Sequence, residues 1–179
     1  MKIVVLTGSP RKNSTSNFLA EEFIRGAKEK GHEIFRFDSA KADIKSCIAC
    51  DACCMGTKPC IQKDDFVQLS QELINADALV FVTPMYYFGM SSTLKKVIDR
   101  FYSIDAKLKN GKKAVLISVQ HAPQEIVKDA LNLHYNSILS WLNMENRGII
   151  NALGIESIEH IKQTDYPKQA YELGYNFLN

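Results

Sequence analysis

Four short runs of apolar residues, "IVVL" (3–6), "ALVFV" (78–82), "AVLISV" (114–119) and "GIINAL" (148–153), recur along the chain, each bounded by polar or glycine-containing turns. Near-continuous apolar runs of this length are the pattern of strands buried on both faces of a parallel sheet. "HEIFRFD" (32–38) alternates apolar and polar residues and reads as an edge strand. Helical stripes lie between them: Leu19, Phe23 and Ala27; Phe66, Leu69, Leu73 and Ile74; Leu94, Val97, Ile98, Phe101 and Tyr102; and Val127, Ala130, Leu131, His134, Ile138 and Trp141. A last helix is expected near Pro167, with Asp165 as its cap. Five strand–helix units in succession imply an α/β doubly wound parallel sheet with helices on both faces, and 179 residues suit one domain over 1–179.

In such sheets ligands sit beyond the carboxyl ends of the strands. Three loops are therefore expected to carry function: 7–16, 83–91 and 119–124. The cysteine-rich stretch "CIACDACCMGTKPC" (47–60) follows the second strand and is expected on the same rim.

The net charge of +2 gives no support to a nucleic-acid partner, and the one basic cluster, "KLKNGKK" (107–113), reads as a helix end, an Asn-Gly turn and a strand start. No run approaches the roughly 20 apolar residues of a membrane span, and the apolar run before Thr7 is too short for a signal-peptide core. The expectation is a cytoplasmic protein whose thiols stay reduced, which argues against disulfides among the cysteines.

"TGSPRKNSTSN" (7–17) places hydroxyls and an arginine between a buried strand and a helix start. The free N–H groups and positive dipole end of that helix favour an anion, to which Ser14, Thr15 and Ser16 add donors and Arg11 a cation. A phosphate monoester suits this set. No G-x-G-x-x-G occurs, Asn13 stands where a P-loop requires the second glycine, and no cysteine is followed six positions later by arginine. An ordinary helix cap accounts for one of the three hydroxyls, not for all of them with Arg11.

"TPMYYFGMSSTLKKVIDRFY" (83–102) opens with more large apolar groups than a strand-end loop needs for packing, as expected if a flat, amphipathic ligand lies against it; Ser91 or Ser92 then caps the following helix. Together, "GSPRKNSTSN", "DD" at 64–65 and "TPMYYFGMSSTLKKVIDR" resemble the NAD(P)H-dependent FMN reductase group of flavodoxin-like proteins. The resemblance implies a five-stranded flavodoxin-like sheet in the order 2-1-3-4-5, non-covalent FMN, NAD(P)H as transient co-substrate, and a homodimer or homotetramer. It implies that Ser9, Arg11, Ser14, Thr15 and Ser16 hold the FMN phosphate. Pro84, Met85, Tyr86, Tyr87, Phe88 and Gly89 are expected to line the isoalloxazine, with Ser118, Gln120 and His121 flanking it. Hydride transfer from nicotinamide to flavin needs stacked rings more than a protein acid or base, so no catalytic residue is assigned; His121 is the one candidate proton donor, but its preferred reading is an ordinary exposed loop histidine. The acceptor is a small molecule or a protein. An electron-transfer protein and a non-catalytic flavin-binding module are the rival readings.

The cysteines follow C-x-x-C-x-x-C-x6-C, with Cys54 extra to the pattern. The compact spacing is iron–sulfur-like, whereas structural zinc prefers two separated C-x-x-C pairs. The stretch resembles the cysteine loop of iron–sulfur flavoproteins, a branch of the same group, and that resemblance implies Cys47, Cys50, Cys53 and Cys60 as ligands of a [4Fe–4S] cluster. Free thiols on a substrate-binding loop are the alternative.

Overall fold

A computed structural model describes residues 1–177. Parallel strands β1 (Lys2–Thr7), β2 (Glu33–Asp38), β3 (Ala78–Tyr86), β5 (Lys113–Val119) and β6 (Glu145–Ala152) form a sheet in the order β2-β1-β3-β5-β6. A two-residue strand, β4 (Gly89–Met90), folds back antiparallel on the end of β3. Without this hairpin strand, the order is the 2-1-3-4-5 expected of the flavodoxin-like resemblance.

The continuous apolar runs have a direct cause. Because successive side chains point to opposite faces, Val4, Leu6, Leu79, Phe81 and Leu116 enter one core while Ile3, Val5, Val80, Val115 and Ile117 enter the other. The first core is closed by α2 (Phe66–Asn75), α3 (Ser92–Asp99) and α5 (Ile126–Leu142); the second by α1 (Thr15–Glu29), α6 (Ile158–Lys162) and α7 (Tyr166–Tyr175). The edge strand β2 is only half-buried along most of its length, hence its alternation.

Three helical expectations are corrected. In α5 the buried face is Leu131, Tyr135, Leu139 and Leu142, rotated from the expected stripe, while Ala130 is exposed, His134 half-buried and Trp141 61% exposed. Tyr135 decides the rotation, because its ring packs edge-on against Phe81 in the core. After α3 the chain tightens into a 3-10 helix (Arg100–Ile104) that leads into α4 (Asp105–Leu108), so Phe101 stays buried while Tyr102 turns outward. The sequence also gave no sign of α6, a single short helix capped by Ser157. Asp165 does sit at the start of α7, with Pro167 inside the first turn, but its side chain makes no capping bond.

Helices α1 and α7 cross at van der Waals contact because each contributes a glycine. A Cβ on Gly26 meets the Tyr171 carbonyl oxygen at 2.2 Å, and one on Gly174 meets the Phe23 carbonyl oxygen at 2.1 Å. At an isolated helical position alanine is favoured over glycine by about 1 kcal/mol; here the sign reverses. Gly174→Ala and Gly26→Ala are each expected to lower stability by about 1–3 kcal/mol, read as a lower urea midpoint. An unchanged or higher midpoint shows that the two backbones do not approach this closely.

Candidate functional site

The loop after β1 is tied to β3 and to the start of α3 through the backbone of one residue, Gly8. The Gly8 N–H donates to the Val82 carbonyl at 2.8 Å, and the Gly8 carbonyl accepts from Ser91 Oγ at 2.8 Å and Thr93 Oγ1 at 2.7 Å. The Ser91 N–H donates to Thr83 Oγ1 at 2.9 Å, and Ser91 Oγ also caps α3 by accepting from the Leu94 N–H. Glycine is required at position 8, since a Cβ there lies 2.4 Å from Ser91 Oγ. The carboxyl ends of β1 and β3 are thereby locked side by side.

Beside this junction opens a cleft of about 570 Å3, walled by the loop after β1, the end of β3, the end of β5 and the loop after β6. Its size falls in the range of small-molecule and cofactor sites. At one end Ser9, Arg11, Asn13, Ser14 and Thr15 meet at the start of α1. Ser14 is the N-cap, its Oγ accepting from the Asn17 N–H at 3.3 Å and sharing a hydrogen bond with Ser16 Oγ at 2.9 Å. No acidic residue occupies the first turn of this 15-residue helix, which leaves its first N–H groups free of a local carboxylate, while Glu156 and Glu159 line the cleft from the loop after β6. Pro84, Met85 and Tyr86 line the cleft at the end of β3, and Val119, Gln120 and His121 line it beside them at the end of β5, Pro84 and Val119 being register partners.

The cleft thus gathers most of the expected site residues, but not all. Ser16 is buried behind Ser14 and does not line it. Ser118 lies inside the sheet, its Oγ donating to Asn151 Oδ1 at 2.6 Å. Gly89 sits in β4, and Tyr87 and Phe88 form the exposed tip of the β3–β4 hairpin, outside the lining. The expected loop 83–91 is in fact this hairpin, because β3 runs on to Tyr86 before turning. Residues 155–159 after β6 were not anticipated, although the placement of ligands beyond strand ends applies to the last strand as much as to the others. Among the described residues, the donors at the start of α1 and the apolar wall at Pro84–Tyr86 fit a phosphate-bearing ligand with a flat ring, as FMN is.

Tyr87 and Phe88 face each other across no strand: Tyr86 pairs with Gly89, leaving a two-residue loop whose φ angles are 45° and 65°. Both central residues at positive φ identify a type I′ turn. Asn-Gly favours that turn, whereas side chains without local hydrogen-bonding capacity sit there at a cost of about 1–2 kcal/mol each.

The cysteine stretch leaves β2 but does not join the cleft; no cysteine lines it. The correction has an identifiable cause in the neck of the loop. The Asp43 N–H donates to Asp65 Oδ2 at 2.8 Å, the Lys45 N–H to Asp64 Oδ2 at 3.0 Å, and Gln62 Nε2 to the Ser46 carbonyl at 3.0 Å. Arg100, 1% exposed, donates Nη1 to the Lys45 carbonyl at 3.0 Å and to Asp64 Oδ2 at 2.7 Å. Burial pushes the Asp64 carboxyl upward, but the Arg100 guanidinium and the Lys45 and Phe66 amides outweigh it and hold it below the usual carboxylate range. The ion pair draws the loop against the segment after α3, where Gly56 packs on the backbone of Ile104 and Asp105. There the Tyr102 hydroxyl donates to Asp51 Oδ1 at 2.8 Å, a bond that pushes its pKa up to about 12.

Within this loop Ala49, Asp51, Cys54 and Met55 all have positive φ. Cys47, Cys50, Cys53 and Cys60 line one small cavity with Arg100 and Tyr102, and Cys54 lies outside it. The donor set is therefore the one an iron–sulfur cluster takes. Its present geometry is not: the cavity measures about 20 Å3, and among the described residues no three His, Cys, Asp or Glu side chains are gathered to hold a metal ion.

Residues 1–148 match the family described as NADPH-dependent FMN reductase. An iron–sulfur flavoprotein of Archaeoglobus fulgidus is 38% identical over 100 residues, 56% of this chain and 48% of that protein. A putative NAD(P)H-dependent FMN-containing oxidoreductase of Bacillus subtilis is 29% identical over 102 residues, 56% of this chain and 52% of that protein. The chain thus spans about half the length of the curated relatives it matches. Among solved structures, an NAD(P)H:quinone oxidoreductase from Methanothermobacter marburgensis superposes with a TM-score of 0.78 at 18% identity, covering 100% of this chain and 96% of that one. With the flavodoxin-like sheet, the cleft at its carboxyl rim and the match over 1–148, the chain belongs to the NADPH-dependent FMN reductase family.

Proposed function

We propose that this chain is an FMN-dependent NAD(P)H oxidoreductase, acting in the cytoplasm as one FMN-binding domain over residues 1–179. The observation that carries the reading is the cleft itself, which joins a hydroxyl-lined helix N-terminus to an apolar strand end at one rim. Ser9, Ser14, Thr15 and Arg11 hold the phosphate, assisted by the first-turn N–H groups of α1. Ser16 supports this set from behind through Ser14 Oγ. Pro84, Met85 and Tyr86 line the isoalloxazine site from the end of β3, and Gln120 and His121 from the adjacent end of β5. When bound, FMN supplies the redox chemistry, accepting hydride from the nicotinamide and releasing electrons to an acceptor. The protein positions the rings and excludes water beneath them. The exposed stripe of Ile126, Leu133 and Trp141 on α5 is consistent with a homodimer or homotetramer.

A second reading is favoured by the side chains around the small cavity: an iron–sulfur flavoprotein in which Cys47, Cys50, Cys53 and Cys60 hold a [4Fe–4S] cluster that exchanges electrons with FMN. Four left-handed non-glycine residues in one loop are a store of strain that the neck must enforce, and such strain concentrates at functional sites. Loading requires the loop to open its cavity.

Replacing Ser14, Thr15 and Ser16 together by Ala is expected to weaken FMN binding at least about tenfold, since each hydrogen bond to a charged phosphate contributes roughly 1.5–3 kcal/mol. Circular dichroism separates this from loss of the helix cap; unchanged FMN affinity refutes the phosphate assignment. For His121→Ala, rapid-mixing measurements of flavin reduction by NAD(P)H are expected to show less than about a hundredfold loss, because a positioned general acid contributes at least that much; a larger loss with FMN still bound makes His121 a catalytic acid. Iron and sulfide analysis of anaerobically prepared protein tests the second reading. Cys50→Ala abolishes the iron and Cys54→Ala retains it if a cluster is held as assigned. Equal loss in both variants refutes the ligand set, and iron-free wild-type protein leaves the loop as thiols.

A further inference from the structure

A pocket of about 160 Å3, separate from the flavin cleft, lies beside the cysteine loop, between residues 57–63, α2 and the segment 100–107. Lys58, Lys63, Lys107 and Arg100 line it, and among the described residues no acidic side chain does. The nearby carboxylates are engaged elsewhere: Asp64 by Arg100, Asp65 by the Asp43 N–H, and Asp105 by Lys109 and the Trp141 indole. The three lysine side chains therefore have no ion-pair or hydrogen-bond partner among the described residues, although Lys41, Lys95 and Lys128 each reach a carboxylate three or four positions away. Arg100 is the buried member of the set. Its two Nη atoms are committed to Asp64 and the Lys45 carbonyl, and the Phe66 ring covers it at 4.7 Å. Its Nε is left as a buried donor without a partner, and the Cys60 thiol beside it is a weak acceptor.

We propose that this pocket binds a phosphate group, held by the exposed Lys58, Lys63 and Lys107 and by the Nε–H of the buried Arg100. Four cations against the one carboxylate behind Arg100 leave an excess of positive charge that a dianion offsets better than a single carboxylate does. The volume leaves room for about five non-hydrogen atoms at the roughly 30 Å3 that a water occupies, which suits a phosphate group and is too small for a whole cofactor. The Ser70 and Ser103 hydroxyls, also in the lining, donate to the Val67 and Arg100 carbonyls, so recognition rests on the cations. Cys60 and Arg100 line both this pocket and the small cysteine cavity, so a bound anion lies against the wall that the two share.

Calorimetric titration with inorganic phosphate at constant ionic strength tests this, in the presence of saturating FMN so that the start of α1 is already filled. Binding is expected to saturate in the millimolar range. The triple variant Lys58→Gln/Lys63→Gln/Lys107→Gln is expected to weaken it about tenfold or more, since hydrogen bonds between charged partners are the strong ones. Lys28→Gln, which alters an exposed lysine of α1, is the control and leaves the affinity unchanged. In isotope-labelled wild-type protein the Nε–Hε resonance of Arg100 is expected to shift with the calorimetric midpoint. That resonance reports on this pocket and not on the start of α1, so the outcome does not depend on flavin binding. Heat without a shift at Arg100 overturns the proposal, as does unchanged affinity in the triple variant. An equal response to chloride overturns it too, because it shows ionic screening alone. Repeating the titration with glycerol phosphate identifies the source: tighter binding than inorganic phosphate assigns the terminal group of an organic ligand, and weaker binding assigns the free ion.

Discussion

The backbone of Gly8 is the point on which the site depends. Its N–H is held by β3 and its carbonyl by two hydroxyls from the start of α3, so the loop after β1 cannot move without the end of β3. Each such bond contributes on the order of 1 kcal/mol net, but their value lies in geometry more than in energy. They set the hydroxyl-lined start of α1 and the Pro84–Tyr86 wall at a fixed separation, which is what a ligand with a charged end and a flat end requires. The absent side chain at position 8 is what allows the approach.

A second constraint keeps the cysteine loop apart from that cleft. Asp64 and Arg100 are both removed from solvent, and breaking such a pair by removing one partner leaves an uncompensated buried charge. The pair also binds the backbone of Lys45, so the same two side chains that satisfy one another close the neck of the loop. Two of the sequence segments that carry the family resemblance, "DD" at 64–65 and the final Arg of "VIDR", therefore meet as a structural clasp and not in the flavin cleft. Their chemistry is positional: they fix where the thiols sit.

Strain is confined to two places, the cysteine loop and the hairpin tip; outside them, among the described residues, only Asn143 at the end of α5 is a non-glycine residue at positive φ. Regular packing accounts for the rest of the molecule. The left-handed residues mark where the backbone has been shaped for something other than its own stability.

Much of this was legible in the sequence because it depends on periodicity. Apolar runs with both faces covered, the edge character of residues 33–38 and the anion-binding start of α1 follow from side-chain alternation and from the groups every helix leaves free, whatever the surroundings. The rotation of α5 was not legible, since adjacent candidate stripes differ by one position and the choice fell to Tyr135 meeting Phe81 across the core. Nor were the close crossing at Gly26 and Gly174, the burial of Ser118 within the sheet, the wall at 155–159 or the displacement of the cysteines from the rim. Each of these depends on contacts between residues far apart in the chain, and a local pattern carries no record of which distant backbone or charge will be its neighbour. The sequence by itself determined the layers and one end of the cleft, and the strand order followed only from the family resemblance. Tertiary structure decided which side chains face that cleft, because only packing between helices and the Asp64–Arg100 pair chooses among orientations that the local sequence leaves equally open.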